Sequence, residues 1–273
     1  MNGFLDEMAR SSAARVGEAM AREPLAALQK RAKAAPRSPP LRLSEQGFDV
    51  IAELKLRSPA AGRLGGQSEA WLGRVARYGL AGAAAVSVLT EPTRFDGSLQ
   101  HLRHAARVLA PLAVPVMRKD FLIDPYQVLE ARAAGAGGVL VIVRMLSASQ
   151  MTHLLDAAAE HGMFVLLEAF DAADLSAAQE LTAARSGDNI LIGVNCRDLN
   201  SLEIIPQRFA ALTSYLPQKW PAVAESGVTC AADAVQMRRL GFRLALIGTA
   251  LMNCADPTQL LSEILTTART VQS

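Results

Sequence analysis

The stretch Val50-Ile-Ala-Glu-Leu-Lys-Leu-Arg-Ser-Pro59 decides how the rest of this 273-residue chain reads. An apolar run that would bury as a strand ends by presenting Glu53, Lys55 and Ser58. Strand side chains alternate faces, so Glu53 and Lys55 point one way while Ala52 and Leu54 point the other. An acid and a base facing one interior space are costly unless they pair or serve chemistry. The same construction recurs in Pro115-Val-Met-Arg-Lys119-Asp-Phe, Phe164-Val-Leu-Leu-Glu168, Ile190-Leu-Ile-Gly-Val-Asn195 and Ala222-Val-Ala-Glu225-Ser-Gly. One such run arises by chance; the series describes an active site.

Outward from this segment, strand-like runs ending near Lys55, Leu89, Lys119, Val143, Glu168, Asn195, Glu225 and Gly248 alternate with helical patterns. The helices are expected at Ser68–Tyr78, Leu99–Leu109, Pro125–Ala134, Ala148–His161, Ala172–Ala184, Pro206–Leu212, Ala231–Leu240 and Thr258–Thr267. Repeated strand–helix alternation predicts a parallel sheet with helices outside it. Eight such units fit an α/β fold of the (β/α)8 TIM-barrel type better than an open sheet, and no G-x-G-x-x-G follows the first strand. The expected organisation is a catalytic barrel over residues 47–273 preceded by a helical extension over residues 1–46. In that extension Phe4–Met20 and Pro24–Ala34 read as amphipathic helices, followed by the breaker-rich Ala35-Pro-Arg-Ser-Pro-Pro40. Phe4, Leu5, Met8, Val16 and Met20 make an apolar stripe that needs a partner.

Composition narrows the function. With 51% hydrophobic residues the chain can fill a large core, and its net charge of +2 is too mild to argue for nucleic acid or a membrane surface. Small anionic substrates remain compatible. The three cysteines have no paired spacing, so a reducing cytoplasm is expected rather than a disulfide framework. The longest apolar run, Gly135 to Val143, falls far short of the ~20 residues of a spanning helix. Asp6, Glu7, Glu18 and Glu23 break any targeting pattern at the N-terminus. The sequence does not distinguish a monomer from a homodimer.

In a (β/α)8 barrel the C-terminal strand ends and the loops after them build the active site. Glu53, Lys55, Lys119, Glu168, Asn195 and Glu225 all fall there. Glu225-Ser226-Gly227 and Ile247-Gly248-Thr249 have the form of a phosphate site, because glycine lets backbone N–H groups approach an anion closely. Ser58-Pro59 and Gly62 strengthen that reading. His101 and His104 share a helix face without carboxylate or thiol partners and are expected to be exposed, as are His153 and His161. Cys196 lacks a base and reads as a bystander thiol; Arg103 and Arg107 read as solvated surface.

These motifs resemble the indole-3-glycerol phosphate synthase family. The resemblance is carried by Ile51-Ala-Glu-Leu-Lys-Leu-Arg-Ser-Pro59, Val86-Ser-Val-Leu-Thr-Glu91, Phe95-Asp-Gly-Ser-Leu99, Arg118-Lys-Asp-Phe-Leu-Ile-Asp-Pro-Tyr-Gln127, Leu166-Leu-Glu168, Ile192-Gly-Val-Asn-Cys-Arg-Asp-Leu199, Val223-Ala-Glu-Ser-Gly227 and Leu246-Ile-Gly-Thr-Ala-Leu-Met252. It implies ring closure, decarboxylation and dehydration of 1-(2-carboxyphenylamino)-1-deoxyribulose 5-phosphate, without a metal or organic cofactor. It further implies that Lys119 is the general acid for ring closure and that Glu168 moves a proton in the dehydration. Glu53, Lys55 and Asn195 would orient and polarise the substrate, with Arg197, Glu225 and Ser226 in support. Phe121 would line the anilino pocket, and Ser58, Gly227, Gly248 and Thr249 would hold the phosphate. The N-terminal helices would cap the barrel mouth. The chain departs from the family pattern at Phe170, where a polar residue usually stands beside the substrate, and at Leu56, Ala60, Thr249 and Cys196. Those departures leave open a divergent paralogue acting on a related ribulose phosphate, or a non-catalytic barrel binding a phosphate ligand.

Overall fold

Eight parallel strands close on themselves: β1 (Asp49–Leu54), β2 (Ala85–Leu89), β3 (Val116–Lys119), β4 (Gly138–Ile142), β5 (Phe164–Ala169), β6 (Ile190–Asn195), β7 (Ala222–Glu225) and β8 (Leu244–Ile247). Each pairs with its neighbours in sequence, and β8 returns to β1 with Ile51 opposite Leu246, which completes a (β/α)8 barrel. The structure is a computed structural model and describes residues 3–45, 47–58, 62–64, 71–187 and 189–271. Pro59, Ala60 and the start of the helix expected from Ser68 lie outside the described residues.

Period-two alternation sorts the strand residues into two cores. Val50, Ala52 and Leu54 of β1 face the surrounding helices, whereas Ile51 joins Met117, Leu140, Leu166 and Leu244 inside the barrel. Glu53 therefore points inward, as the alternation requires, and is 3% exposed. The expected strand and helix ends lie within about two residues of those observed, the ordinary fraying of element ends. The helix after β5 stops at Thr182 rather than Ala184.

The N-terminal segment forms α1 (Phe4–Arg22) and α2 (Leu25–Ala34). Met8 of α1 is buried in the cluster that fills the barrel interior, with Phe4 and Leu5 packed against it. Further along, Ala19 packs with Leu28 and Ala32 of α2 against Tyr126 and Leu129. The Tyr126 hydroxyl donates to the carbonyls of Ala19 (3.1 Å) and Glu23 (2.8 Å). The apolar stripe thus finds its partner, except that Met20 turns outward and is 39% exposed. Among the described residues no helix is long and apolar enough to cross a membrane.

Candidate active site

Four of the inward-pointing strand ends meet around Lys119. Its Nζ lies 3.4 Å from Glu168 Oε2 on β5 and 3.4 Å from Glu225 Oε2 on β7. Asn195 at the end of β6 donates from Nδ2 to Glu168 Oε1 at 2.8 Å. The Asn195 amide cannot be turned around, because its Oδ1 accepts from the Arg197 N–H and the Ser226 hydroxyl, both at 2.9 Å. On β1, Glu53 pairs with Lys55 at 3.1 Å.

Charge compensation sets the protonation of this cluster. Burial alone would depress the Lys119 ammonium, but Glu168, then Glu225 and Glu53, outweigh it and hold the lysine charged well above its ordinary range. Alternation in the sequence leaves that sign undecided; the carboxylates decide it. Burial would push the Glu53 carboxyl up, yet Lys55 and then Lys119 hold it below the usual value. Burial and the neighbouring charge of Glu168 together push Glu225 up to about 8, against the pull of Lys119.

Two glycines make room for these carboxylates. A Cβ on Gly248 would collide with the Glu53 carboxylate, and one on Gly193 would collide with Glu225 Oε1. Gly248 was expected only as an anion contact; its first duty in the packing is to admit Glu53. After β7 the chain turns through two left-handed residues, Ser226 (φ 67°) and Gly227 (φ 76°). A left-handed serine is strained, and its hydroxyl contact with Asn195 helps hold it there.

One cavity of about 340 Å³ is lined by Glu53, Lys55, Ser58, Lys119, Phe121, Glu168, Asn195, Arg197, Glu225, Ser226, Gly227, Gly248 and Thr249. Every residue to which the resemblance assigns a role therefore reaches the same space, whereas Gly62 borders a separate cleft beside Ser58. Lys119, Glu168 and Glu225 sit deep on its floor, while Ser226, Gly227, Gly248 and Thr249 follow β7 and β8 on one side. Sequence reasoning missed part of the apolar wall: Phe4 from α1 and Phe95 from the short helix Pro92–Phe95. Phe4 meets the Phe121 ring edge-on at 5.7 Å, and Phe95 lies 6.2 Å from it. The apolar stripe of α1 flagged Phe4 as buried, but no local signal says against what.

Several expectations change. Phe170 does not line this cavity. Its ring is 4% exposed, lies beneath the Arg144 guanidinium at 4.7 Å and borders a separate small cleft with Gly3, Leu5 and Asp198. The departure at this position is thus moved away from the cavity wall. His101 and His104 are not free on the surface but pack on Trp71, with ring centroids at 5.2 and 6.3 Å, and burial lowers the His101 pKa. His161 is likewise partly covered, whereas His153 is exposed. Cys196 is fully buried, which pushes its thiol up to about 11, and an uncharged thiol is a poor nucleophile. Among the described residues no group of three or more His, Cys, Asp or Glu side chains is placed to hold a metal ion.

Comparison with known proteins agrees with the geometry. Solved structures of 3-hexulose-6-phosphate synthase from Salmonella typhimurium (TM-score 0.61, 11% identity, 81% of this chain and 98% of that one) and thiamine phosphate pyrophosphorylase from Pyrococcus furiosus (TM-score 0.59, 12% identity, 82% and 96%) share the fold. At those identities they speak to architecture alone. Proteins named indole-3-glycerol phosphate synthase are much closer in sequence: that of Leifsonia xyli subsp. xyli is 41% identical over 267 residues, covering 96% of this chain and 94% of its own. That of Mycobacterium avium is 39% identical over 252 residues, covering 90% and 89%. The sequence profile described as indole-3-glycerol phosphate synthase matches residues 5–264, which takes in α1 beyond its first residue, α2 and all eight strands. With the lysine, carboxylates and glycines of its strand ends gathered at one barrel mouth, the chain belongs to the indole-3-glycerol phosphate synthase family.

Proposed function

We propose that this enzyme closes the indole ring of 1-(2-carboxyphenylamino)-1-deoxyribulose 5-phosphate, releasing carbon dioxide and water to give indole-3-glycerol phosphate for tryptophan biosynthesis. The observation that carries the reading is Lys119, charged and held between Glu168 and Glu225 on the floor of a cavity walled by Phe4, Phe95 and Phe121. Closing a carbon–carbon bond onto a ketone builds negative charge on its oxygen, and a positioned ammonium supplies both the field and the proton. Lys119 takes that role. Glu168, fixed by Asn195, is the group that moves a proton in the dehydration.

Glu53 and Lys55 orient and polarise the substrate as a pair, and Arg197 adds positive charge at the rim. The anilino ring stacks among Phe121, Phe4 and Phe95, where a dry wall favours loss of carbon dioxide. The phosphate rests on Ser58, Gly227, Gly248 and Thr249. Residues 1–46 act as an extension capping the catalytic barrel of residues 47–273, since α1 contributes Phe4 to the cavity. No metal or organic cofactor is needed for these steps, because proton transfers and electron pairs within the substrate account for them. The only partner required is the phosphorylated small molecule, and the cytoplasm is the compartment that fits the unpaired cysteines.

The test is direct. Purified protein with the carboxyphenylamino-deoxyribulose phosphate should develop indole fluorescence in proportion to enzyme. An absence of product at high enzyme concentration would overturn the reading.

A further inference from the structure

Glu168 and Glu225 approach Lys119 alike, each with one oxygen at 3.4 Å, but their second oxygens differ. Glu168 Oε1 accepts the Asn195 amide at 2.8 Å, so both of its oxygens face donors. Glu225 Oε1 is buried without a hydrogen-bond partner among the described residues, pressed into the niche that Gly193 leaves open beside Leu166. A full negative charge shared onto an oxygen that no donor reaches is far more costly than a neutral carbonyl oxygen there, with the proton carried on Oε2 beside Lys119. The charged groups that face Glu225 are Lys119 on β3, Glu168 on β5 and Glu53 on β1, the last already paired with Lys55. In register beside it stand only Asn195 on β6 and Leu246 on β8, which bring no charge.

The chemistry of the ring closure, on which this inference rests, calls for such a group. In the first step the ring carbon bearing the carboxylate uses its electron pair to bond the ketone carbon, and the ketone oxygen takes one proton from Lys119. Carbon dioxide leaves, and the pair from its bond restores the aromatic ring. The hydroxyl then departs as water with a second proton from Lys119, while the nitrogen lone pair forms a double bond to its ring carbon and the displaced ring π pair bonds the carbon that lost the hydroxyl. Loss of the neighbouring C–H proton to a base completes the indole. Two protons go to one oxygen and one comes back, so each turnover draws one from solvent. Lys119 is a neutral amine after the first step and must be recharged before the second.

We propose that Glu225 holds a proton in the resting enzyme and passes it to Lys119 between ring closure and dehydration, while ionised Glu168 collects the C–H proton. Glu225 thus acts through Lys119, as its proton reserve. Its raised pKa of about 8 agrees with the geometry.

Glu225→Gln keeps the shape and neutrality but removes the transferable proton. Its kcat should fall at least about tenfold, the lower end of what a positioned proton donor contributes, with KM changed less than about twofold. The parent's fall in kcat as pH rises through about 8 should be lost from the variant's profile. An unaltered kcat and pH profile would overturn the proposal, as would a large rise in KM, because the site would then need a charged carboxylate. A second measurement does not depend on the variant turning over or folding. Infrared spectra of the parent protein should show a protonated carboxyl C=O band at neutral pH that disappears on raising the pH past 8, and its absence at neutral pH would also overturn the proposal. If the ring-closing reading itself were wrong, the parent would make no indole product at any pH while that band persisted.

Discussion

Arg118, Lys119 and Asp120 are consecutive residues that serve two different charge clusters. On the side facing α1 and the helix Pro125–Ala133, the Asp120 carboxylate accepts from Arg118 (3.0 Å), from both Arg15 nitrogens (3.0 and 2.9 Å), from the Thr90 hydroxyl (2.7 Å) and from the Phe121 N–H (2.9 Å). Arg118 is completed by Thr90, the Gln127 carbonyl and Glu130. Ser12 of α1 donates to the Phe121 carbonyl and accepts from Gln127, so this network also holds α1 against the chain after β3. On the inner side, Lys119 meets its two glutamates at 3.4 Å, and one oxygen each of Glu53 and Glu225 goes without a donor among the described residues. In the first cluster both Asp120 oxygens are met by donors, Arg15 Nε alone among its cationic nitrogens lacking an acceptor among the described residues, and the cluster holds structure. The second is left short of partners among the described residues where it faces the cavity, and such incompletely satisfied buried polar groups are characteristic of functional sites.

Substitutions should split along the same line. Lys119→Met should lower kcat by roughly 10²-fold or more in the indole-fluorescence assay, as expected for a lost general acid, while unfolding stays a single cooperative transition. Near-normal turnover would show that another group is the acid. Asp120→Ala breaks the structural cluster and leaves Arg118 buried without its main counter-ion; a loss of about 3–5 kcal/mol in urea unfolding is expected. A change below about 1 kcal/mol would mean that α1 and β3 are held by packing alone.

Acid and base should separate the clusters with opposite signs. Burial would raise Asp120, but Arg118 and then Arg15 hold it well below its ordinary 3.8. Its contribution is therefore complete above pH 3.8 and is withdrawn as pH falls below that value. Glu225 is raised from 4.5 to about 8, so the native state holds the extra proton between those values and its contribution fades as pH rises through them. Urea midpoints measured across both windows should fall at each end, and Glu225→Gln should flatten the upper one only. Equal slopes in the parent and the variant would contradict the assignment.

The smallest effect is expected at Phe170. Phe170→Leu should cost about 1–2 kcal/mol of stability through lost packing and the Arg144 contact, yet leave kcat/KM within about threefold. A collapse of kcat/KM would show that the cleft under α1 communicates with the substrate.

How much of this was legible beforehand follows from the range of each force. The repeated strand ends from Val50 to Gly248 announced the barrel, because period-two alternation and helix periodicity are local properties of the chain. Inward direction was likewise readable for Glu53, Lys119, Glu168, Asn195 and Glu225, since barrel closure leaves each strand end one interior. Their protonation was not. Whether Lys119 is surrounded by carboxylates or by cations, and which oxygen of Glu225 lacks a donor, depends on groups 49 and 106 positions away in sequence. Phe4 entering the cavity, Phe170 leaving it and the histidines folding onto Trp71 are likewise long-range packing outcomes. By itself the sequence determined the cylinder and the roster at its mouth, through patterns a few residues long. Tertiary structure alone decided the distances and charges that turn that roster into chemistry, because electrostatic and packing energies depend on separation in space and not along the chain.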